Sequence, residues 1–196
     1  MNDLPLPAHK QRLSKPARAL RLLLSVLDPR AYLHAFRLIN YYNYTHVIPR
    51  RKLTLGEKAR ISPTSAFSYP ERIVAGARLG LGARTTLWAG PARGRIVIGD
   101  DVLLGPDILI TAASYRFDDG GPVTAQAMDE ADVTIGNDVW LGARVVVLPG
   151  ARIGDGAIIG AGSVVRGEIP PYSVAVGIPA RVVSSRRRPD SLGEPD

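Results

Sequence analysis

Residues 135–165 read "IGNDVWLGARVVVLPGARIGDGAIIGAGSVV", and a large aliphatic side chain falls on every sixth position: Ile135, Leu141, Val147, Ile153, Ile159 and Val165. The next residue in each hexad is Gly136, Gly142, Leu148, Gly154 and Gly160, and four past each aliphatic come Val139, Val145, Ala151, Ala157 and Ser163, all small or β-branched. A helix repeats every 3.6 residues and an alternating strand every two, so neither produces this pattern. A prism of short parallel strands does, with one flat face per hexad and three faces per coil. The aliphatic then points inward and stacks on its equivalent three hexads later, at the usual interstrand spacing of about 4.8 Å. The small fifth residue fits the narrow interior. The glycine is expected to turn the corner, where backbone angles unfavourable to other residues help. Each coil alone buries little, but stacked coils share one continuous core.

Outward from this stretch the frame returns at Ile98-Gly99, Leu104-Gly105 and Ile110, and more weakly at Leu81-Gly82 and Leu55-Gly56. The repeat region is therefore placed at 53–183. The reading gives it one interruption, between Ile110 and Ile135. There residues 116–132, "RFDDGGPVTAQAMDEAD", carry no repeat and read as an excursion loop that leaves the coil and returns. Such a loop adds no core, so its expected role is to cover an acceptor site.

"IGNDVWLGARVVVLPGARIGDGAIIGAGSVVRGEIPPYSVAVGIPARVV", residues 135–183, resembles the hexapeptide-repeat acyltransferases, and within them the galactoside and maltose O-acetyltransferases and their relatives in surface-polysaccharide synthesis. The resemblance implies a left-handed parallel β-helix, a handedness the spacing does not supply. It also implies a homotrimer with active sites between neighbouring subunits, acetyl-CoA as donor, and a sugar or polysaccharide acceptor. By match to the family motif, Ala143, after the Trp140-Leu141-Gly142 corner, and Ala161, between Gly160 and Gly162, are expected along pantetheine. Arg166 and Gly167 stand where the family usually has Thr-Lys, and Arg181 in "GIPARVV" matches a basic residue on the phosphate side. Small side chains let an amide chain approach a strand edge, and phosphates call for cations.

The same match places Tyr115, in "ILITAASY", where the family carries its catalytic histidine. All three histidines, His9, His34 and His46, lie outside the repeat. Proton removal from an attacking hydroxyl contributes typically 10²–10⁴-fold, and a phenol is a poor base at neutral pH. Two routes are open: an acceptor amine that attacks unprotonated, or a loop carboxylate, Asp118 or Asp119, taking the proton while Ser114 and Tyr115 orient the acceptor. Trp88, in "TTLWAG", is a candidate platform for a sugar ring. The alternative to an enzyme is a non-catalytic trimeric β-helix that binds or assembles. The donor-side motifs "GAGSVV" and "GIPARVV" favour the transferase, since a scaffold needs the aliphatics but no cation after the last proline.

Ahead of the repeat, residues 14–46 read as a helical cap. Ser14 is an N-cap, Pro16 sits in the first turn, Leu20, Leu23, Leu24 and Leu27 recur at helical spacing, and Asp28-Pro29 breaks the run. Lys15, Arg18 and Arg21 make this extension basic, which suits a cap or a peripheral contact with an anionic membrane surface. Residues 1–13 are expected to be flexible and 184–196, "SSRRRPDSLGEPD", to be a disordered tail.

Composition narrows the field further. The 196 residues carry a formal net charge of +7, which favours acidic partners. Cysteine is absent, which removes disulfides, thiol nucleophiles and thiolate metal sites. No helix-turn-helix, RNP or zinc motif supports nucleic-acid binding. No histidine in the coil supports a three-histidine zinc site, so no metal is expected. No apolar run approaches the roughly 20 residues of a membrane span, and the opening "MNDLPLPAHK" lacks the basic-then-apolar signature of a signal peptide. The expectation is a cytoplasmic protein, with the inner face of the membrane as an alternative place of work.

Overall fold

A computed structural model of the chain describes residues 14–186. Residues 1–13 and 187–196, where the flexible start and most of the expected tail were placed, lie outside the described residues. The chain divides into two units, one ending at Tyr42 and the other beginning at Asn43. The first holds two helices, α1 (Lys15–Leu27) and α2 (Pro29–Tyr42). Ser14 caps α1, its hydroxyl accepting from the Ala17 amide at 3.4 Å, and the chain leaves the helix at Asp28 in extended geometry. Neither helix buries a residue.

The second unit opens with a π-helical turn at Asn43–Val47 and continues as a left-handed parallel β-helix. Its first face stacks Thr54–Leu55, Ile73–Ala75, Ile96–Ile98, Val133–Ile135, Arg152–Ile153 and Glu168–Ile169. The second stacks Arg60–Ile61, Gly80–Leu81, Leu103–Leu104, Trp140–Leu141, Ile158–Ile159 and Ser173–Gly177, and the third Ala66–Ser68, Thr86–Trp88, Leu109–Thr111, Val146–Val147 and Val164–Val165. The hexad aliphatics stand in register: Ile135 on Ile153, Leu141 on Ile159, Val147 on Val165. All six are buried, as are Ile98, Leu104 and Ile110 in the coil before.

Two details differ from the sequence reading. First, the glycines beside the aliphatics are not in left-handed backbone geometry. They are there because the next coil lies too close: a Cβ on Gly142 would sit 2.6 Å from the Ala161 amide nitrogen, and one on Gly154 2.5 Å from the Pro171 nitrogen. The positive φ angles fall two residues further on, at Asp101, Asp107, Asp138 and Arg144. Stacked corners pay back part of that strain with Arg78–Asp101 and Arg84–Asp107 ion pairs. Second, the frame is broken by three insertions and not one, and the last coil, Arg152 to Glu168, is two residues short at 16. Thr54 pairs with Val74, Val74 with Val97 and Val97 with Thr134, so successive coils take 20, 23 and 37 residues before Thr134 to Arg152 takes 18. Every insertion leaves at the same corner, between the third and first faces: at Tyr69–Arg72, at 89–95 and after Thr111.

The last insertion is a β-hairpin more than a loose loop. Ala113–Tyr115 pairs antiparallel with Met128–Glu130, so its stem begins before residue 116. At the other end, Ala180–Ser185 runs back antiparallel against Ser173–Gly177, and Arg186 pairs with Asp138 at 2.8 Å. The tail placed at 184 therefore begins inside a strand, because Ser184 and Ser185 still find backbone partners in Val174 and Ser173.

Candidate active site

The three insertions are locked to one another. The Arg72 guanidinium donates to the Gly90 carbonyl at 3.1 Å. Glu130, on the returning strand of the hairpin, accepts backbone hydrogen bonds from Ala92, Arg93 and Gly94 at 2.8, 2.5 and 2.6 Å. Glu130 is only 9% exposed. Burial works against its charge, but the three amides, with Arg72 nearby, outweigh it and hold the carboxyl below its ordinary range. A carboxylate so committed is a fixed anchor and not a proton acceptor.

Beside this anchor lies a groove of 540 Å³ lined by Arg93, Ser114, Asp129, Glu130, Ala131, Leu148, Pro149 and Arg166. Ser114 faces Asp129 across the hairpin ladder, and Tyr115, 49% exposed, faces Met128. The Asp129 carboxylate accepts from the Arg116 Nε at 2.7 Å. Asp118 and Asp119 are exposed further out along the hairpin, where the Asp119 amide donates to the Gln126 side chain at 3.2 Å, and neither lines the groove. The carboxylates that the fold brings to Ser114 are Asp129 and Glu130. The signal was present in "MDEAD", where residues in alternation return along Ala113–Tyr115, but a loop reading hides a ladder. Trp88 is half-buried on the third face between Ser68 and Thr111. His34 is exposed on α2, and the His46 Nδ1 lies 2.6 Å from the Thr45 hydroxyl.

The residues matched to the donor fall on a different edge, the corner between the second and third faces. Trp140, 49% exposed, and buried Gly142 lead into it. Gly162 donates to the Ala143 carbonyl at 2.8 Å, which stacks the Ala143-Arg144 and Ala161-Gly162 corners. A Cβ on Gly162 would meet nothing within 4 Å, so this edge is open to an incoming chain. Beyond it, Val176 lies against Gly160, and Arg181 pairs with Val176. Ala143, Ala161 and Arg181 thus follow one line, an arrangement that fits an extended amide chain ending in phosphates. Arg144, exposed at the same corner, is a cation that motif matching passed over. Arg166 and Gly167 do not share this edge: they turn the corner between the third and first faces, and Arg166 faces the groove. Among the described residues no cluster of His, Asp and Glu has the makings of a metal site.

Comparison with known proteins places these features. Residues 132–167 match the family model described as bacterial transferase hexapeptide (six repeats). The chain is 32% identical over 169 residues to the galactoside O-acetyltransferase of Escherichia coli (strain K12), an alignment covering 79% of each chain. Among solved structures it is similar to a galactoside acetyltransferase in complex with coenzyme A, at a TM-score of 0.67 and 31% identity over 83% of this chain and 84% of that one. It is also similar to a maltose O-acetyltransferase from Clostridium difficile 630, at a TM-score of 0.65 and 29% identity over 79% and 86% of the two chains.

Proposed function

The chain belongs to the hexapeptide-repeat acetyltransferases, and on that premise we propose that it transfers an acyl group from acetyl-CoA to a sugar or surface-polysaccharide intermediate at a site shared between two copies of the chain. One observation carries the shared site. The donor edge, Ala143–Ala161–Arg181, and the groove at Ser114 and Arg166 occupy different corners of one prism. A neighbouring copy supplies the missing half, as in a trimer whose edges face one another's grooves. Apolar side chains left outward support such an assembly: Leu103 is 51% exposed and stacks beside Trp140.

In the reaction, the acceptor oxygen or nitrogen bonds to the acetyl carbonyl carbon, the carbon–sulfur bond breaks, and the coenzyme A thiol leaves with the proton. Tyr115 and Ser114 orient the acceptor by hydrogen bonds at the position where the family has its histidine. Asp129, cross-strand from Ser114, accepts from Arg116 at Oδ1 and offers its Oδ2 to the acceptor proton, in place of Asp118 and Asp119. The sugar class follows from the galactoside and maltose enzymes to which the chain is similar. Titration calorimetry with acetyl-CoA and CoA tests the donor half. A chain that binds neither, and transfers acetyl to none of a panel of galactosides, maltose, amino sugars and nucleotide sugars, is a scaffold and not a transferase.

The basic face of α1, with Lys15, Arg18 and Arg21 beside the exposed Leu20, Leu23, Leu24 and Leu27, supports peripheral contact with an anionic membrane, which would set the enzyme at the cytoplasmic face. Flotation with anionic and with zwitterionic vesicles tests it; a protein that floats with neither has no such contact.

A further inference from the structure

The groove beside Ser114 has an unbalanced charge. Its two carboxylates are already engaged: Glu130 by three backbone amides and Asp129 by Arg116. Its two guanidinium groups are not. Arg93 and Arg166 are exposed, line the same groove, and have no carboxylate partner among the described residues. Arg93 comes from the insertion at 89–95 and Arg166 from the turn after Val164–Val165, so only the stacking of coils brings them together. Arg93 is also fixed at its root. Its amide is one of the three that Glu130 holds, so the side chain starts from a rigid loop and loses less freedom on binding a ligand.

Resting on the acyltransferase reading above, we propose that Arg93 and Arg166 form an anion subsite of the acceptor site, so that the acceptor is a sugar carrying a phosphate or carboxylate and is held by that group while Ser114 meets its nucleophile. A guanidinium offers paired N–H donors that match either anion, and two of them converging on one groove favour a charged sugar over its neutral counterpart. A neutral galactoside or maltose would leave both arginines without a partner. Arg166, matched by motif to donor phosphates, lies on another corner from Ala143, Ala161 and Arg181 of its own copy and lines the groove with Arg93, so CoA affinity is the readout that separates the two roles.

The test is calorimetric titration of the CoA-loaded protein with glucose 1-phosphate, glucuronic acid and UDP-glucose, each compared with methyl glucoside. At least one anionic sugar should bind roughly ten-fold or more tighter than the neutral one, the worth of one charge-assisted hydrogen bond. Arg93→Ala should cut the preference roughly ten-fold, Arg93→Lys should keep more of it, and CoA affinity should stay at the parent value in both. Inorganic phosphate should compete with the sugar and not with CoA. Equal binding of charged and neutral sugars, or binding of none of them, overturns the subsite while intact CoA binding leaves the transferase reading standing. A fall in CoA affinity in Arg93→Ala also overturns it, because the anion would then be the donor's. Loss of CoA binding in the unmodified protein is the separate result that removes the transferase reading itself. Arg93→Lys keeps both charge and stem, so a fold defect confined to the alanine variant would be seen as such.

Discussion

Glu130 accepts a hydrogen bond from the amide of Arg93, thirty-seven residues earlier in the chain, and so ties the hairpin to the insertion in the coil below it. Removing that carboxylate leaves three amides to find other partners. Glu130→Ala should destabilise the protein by about 3 kcal/mol, since the buried Gly94 amide left unmet costs roughly 1–3 kcal/mol and the half-buried Ala92 and Arg93 amides less each. A thermal melt of the variant should fall by roughly 10 °C for a chain of this length; an unchanged midpoint would mean the amides are satisfied without Glu130.

Because the folded protein holds the Glu130 carboxyl below its ordinary range, its stabilising contribution is complete above the pH at which an unfolded glutamate ionises, about 4.3, and is lost as pH falls through the lower folded value. Melting temperature of the parent should therefore fall more steeply on acidification below about pH 4.3 than that of Glu130→Gln, which has no charge to lose. Parallel slopes would contradict the assignment.

Tyr115→Phe should weaken acceptor binding by about 1 kcal/mol, one hydrogen bond, and lower turnover several-fold. Tyr115→His should raise the rate on a hydroxyl acceptor and do little on an amine. A loss near 10⁴-fold in the phenylalanine variant would make the phenol oxygen the chemical base. Asp129→Asn should cost more turnover than Asp118→Asn or Asp119→Asn, since only Asp129 lines the groove.

Arg181→Ala should reduce CoA affinity by roughly 1.5–3 kcal/mol, the worth of a charge-assisted bond to phosphate. If Arg166 serves the acceptor's anion as proposed, Arg166→Ala should leave it unchanged. Equal losses in the two variants would restore Arg166 to the donor.

Light scattering should give a mass near three times the 21.0 kDa chain. Leu103→Glu, which places a charge on the outward apolar stripe beside Trp140, should shift the population toward monomer and lower the specific activity with it. A fully active monomer across micromolar concentrations would remove the shared site.

The core was legible because a β-helix writes its inward column directly into the chain: each buried aliphatic is one hexad from the next, so Ile135 through Val165 could be read without any long-range information. The corners were legible in position but not in cause. Gly142 is glycine because Ala161 of the next coil stands against it, and contacts between coils do not appear in a local pattern. The site was less legible still. Ser114 and Tyr115 were found by their place in the family frame, whereas Glu130 and Arg93 meet only when two insertions of different lengths stack at one corner. Asp118 and Asp119 lay nearer to Tyr115 in sequence, yet the hairpin carries them away and returns Asp129 in their place.

A stack of parallel strands ends in open edges, rows of unpaired amides and carbonyls that invite another stack to continue them. On the second face, Ala180–Ser185 reverses direction and covers that edge with a strand whose register shifts between Val174 and Ala175. Reversal and register shift together break the template on this face, so a second β-helix cannot continue its strands in parallel there. The returning strand is thus also a guard against fibre growth, in the same few residues that carry Arg181 to the end of the donor edge.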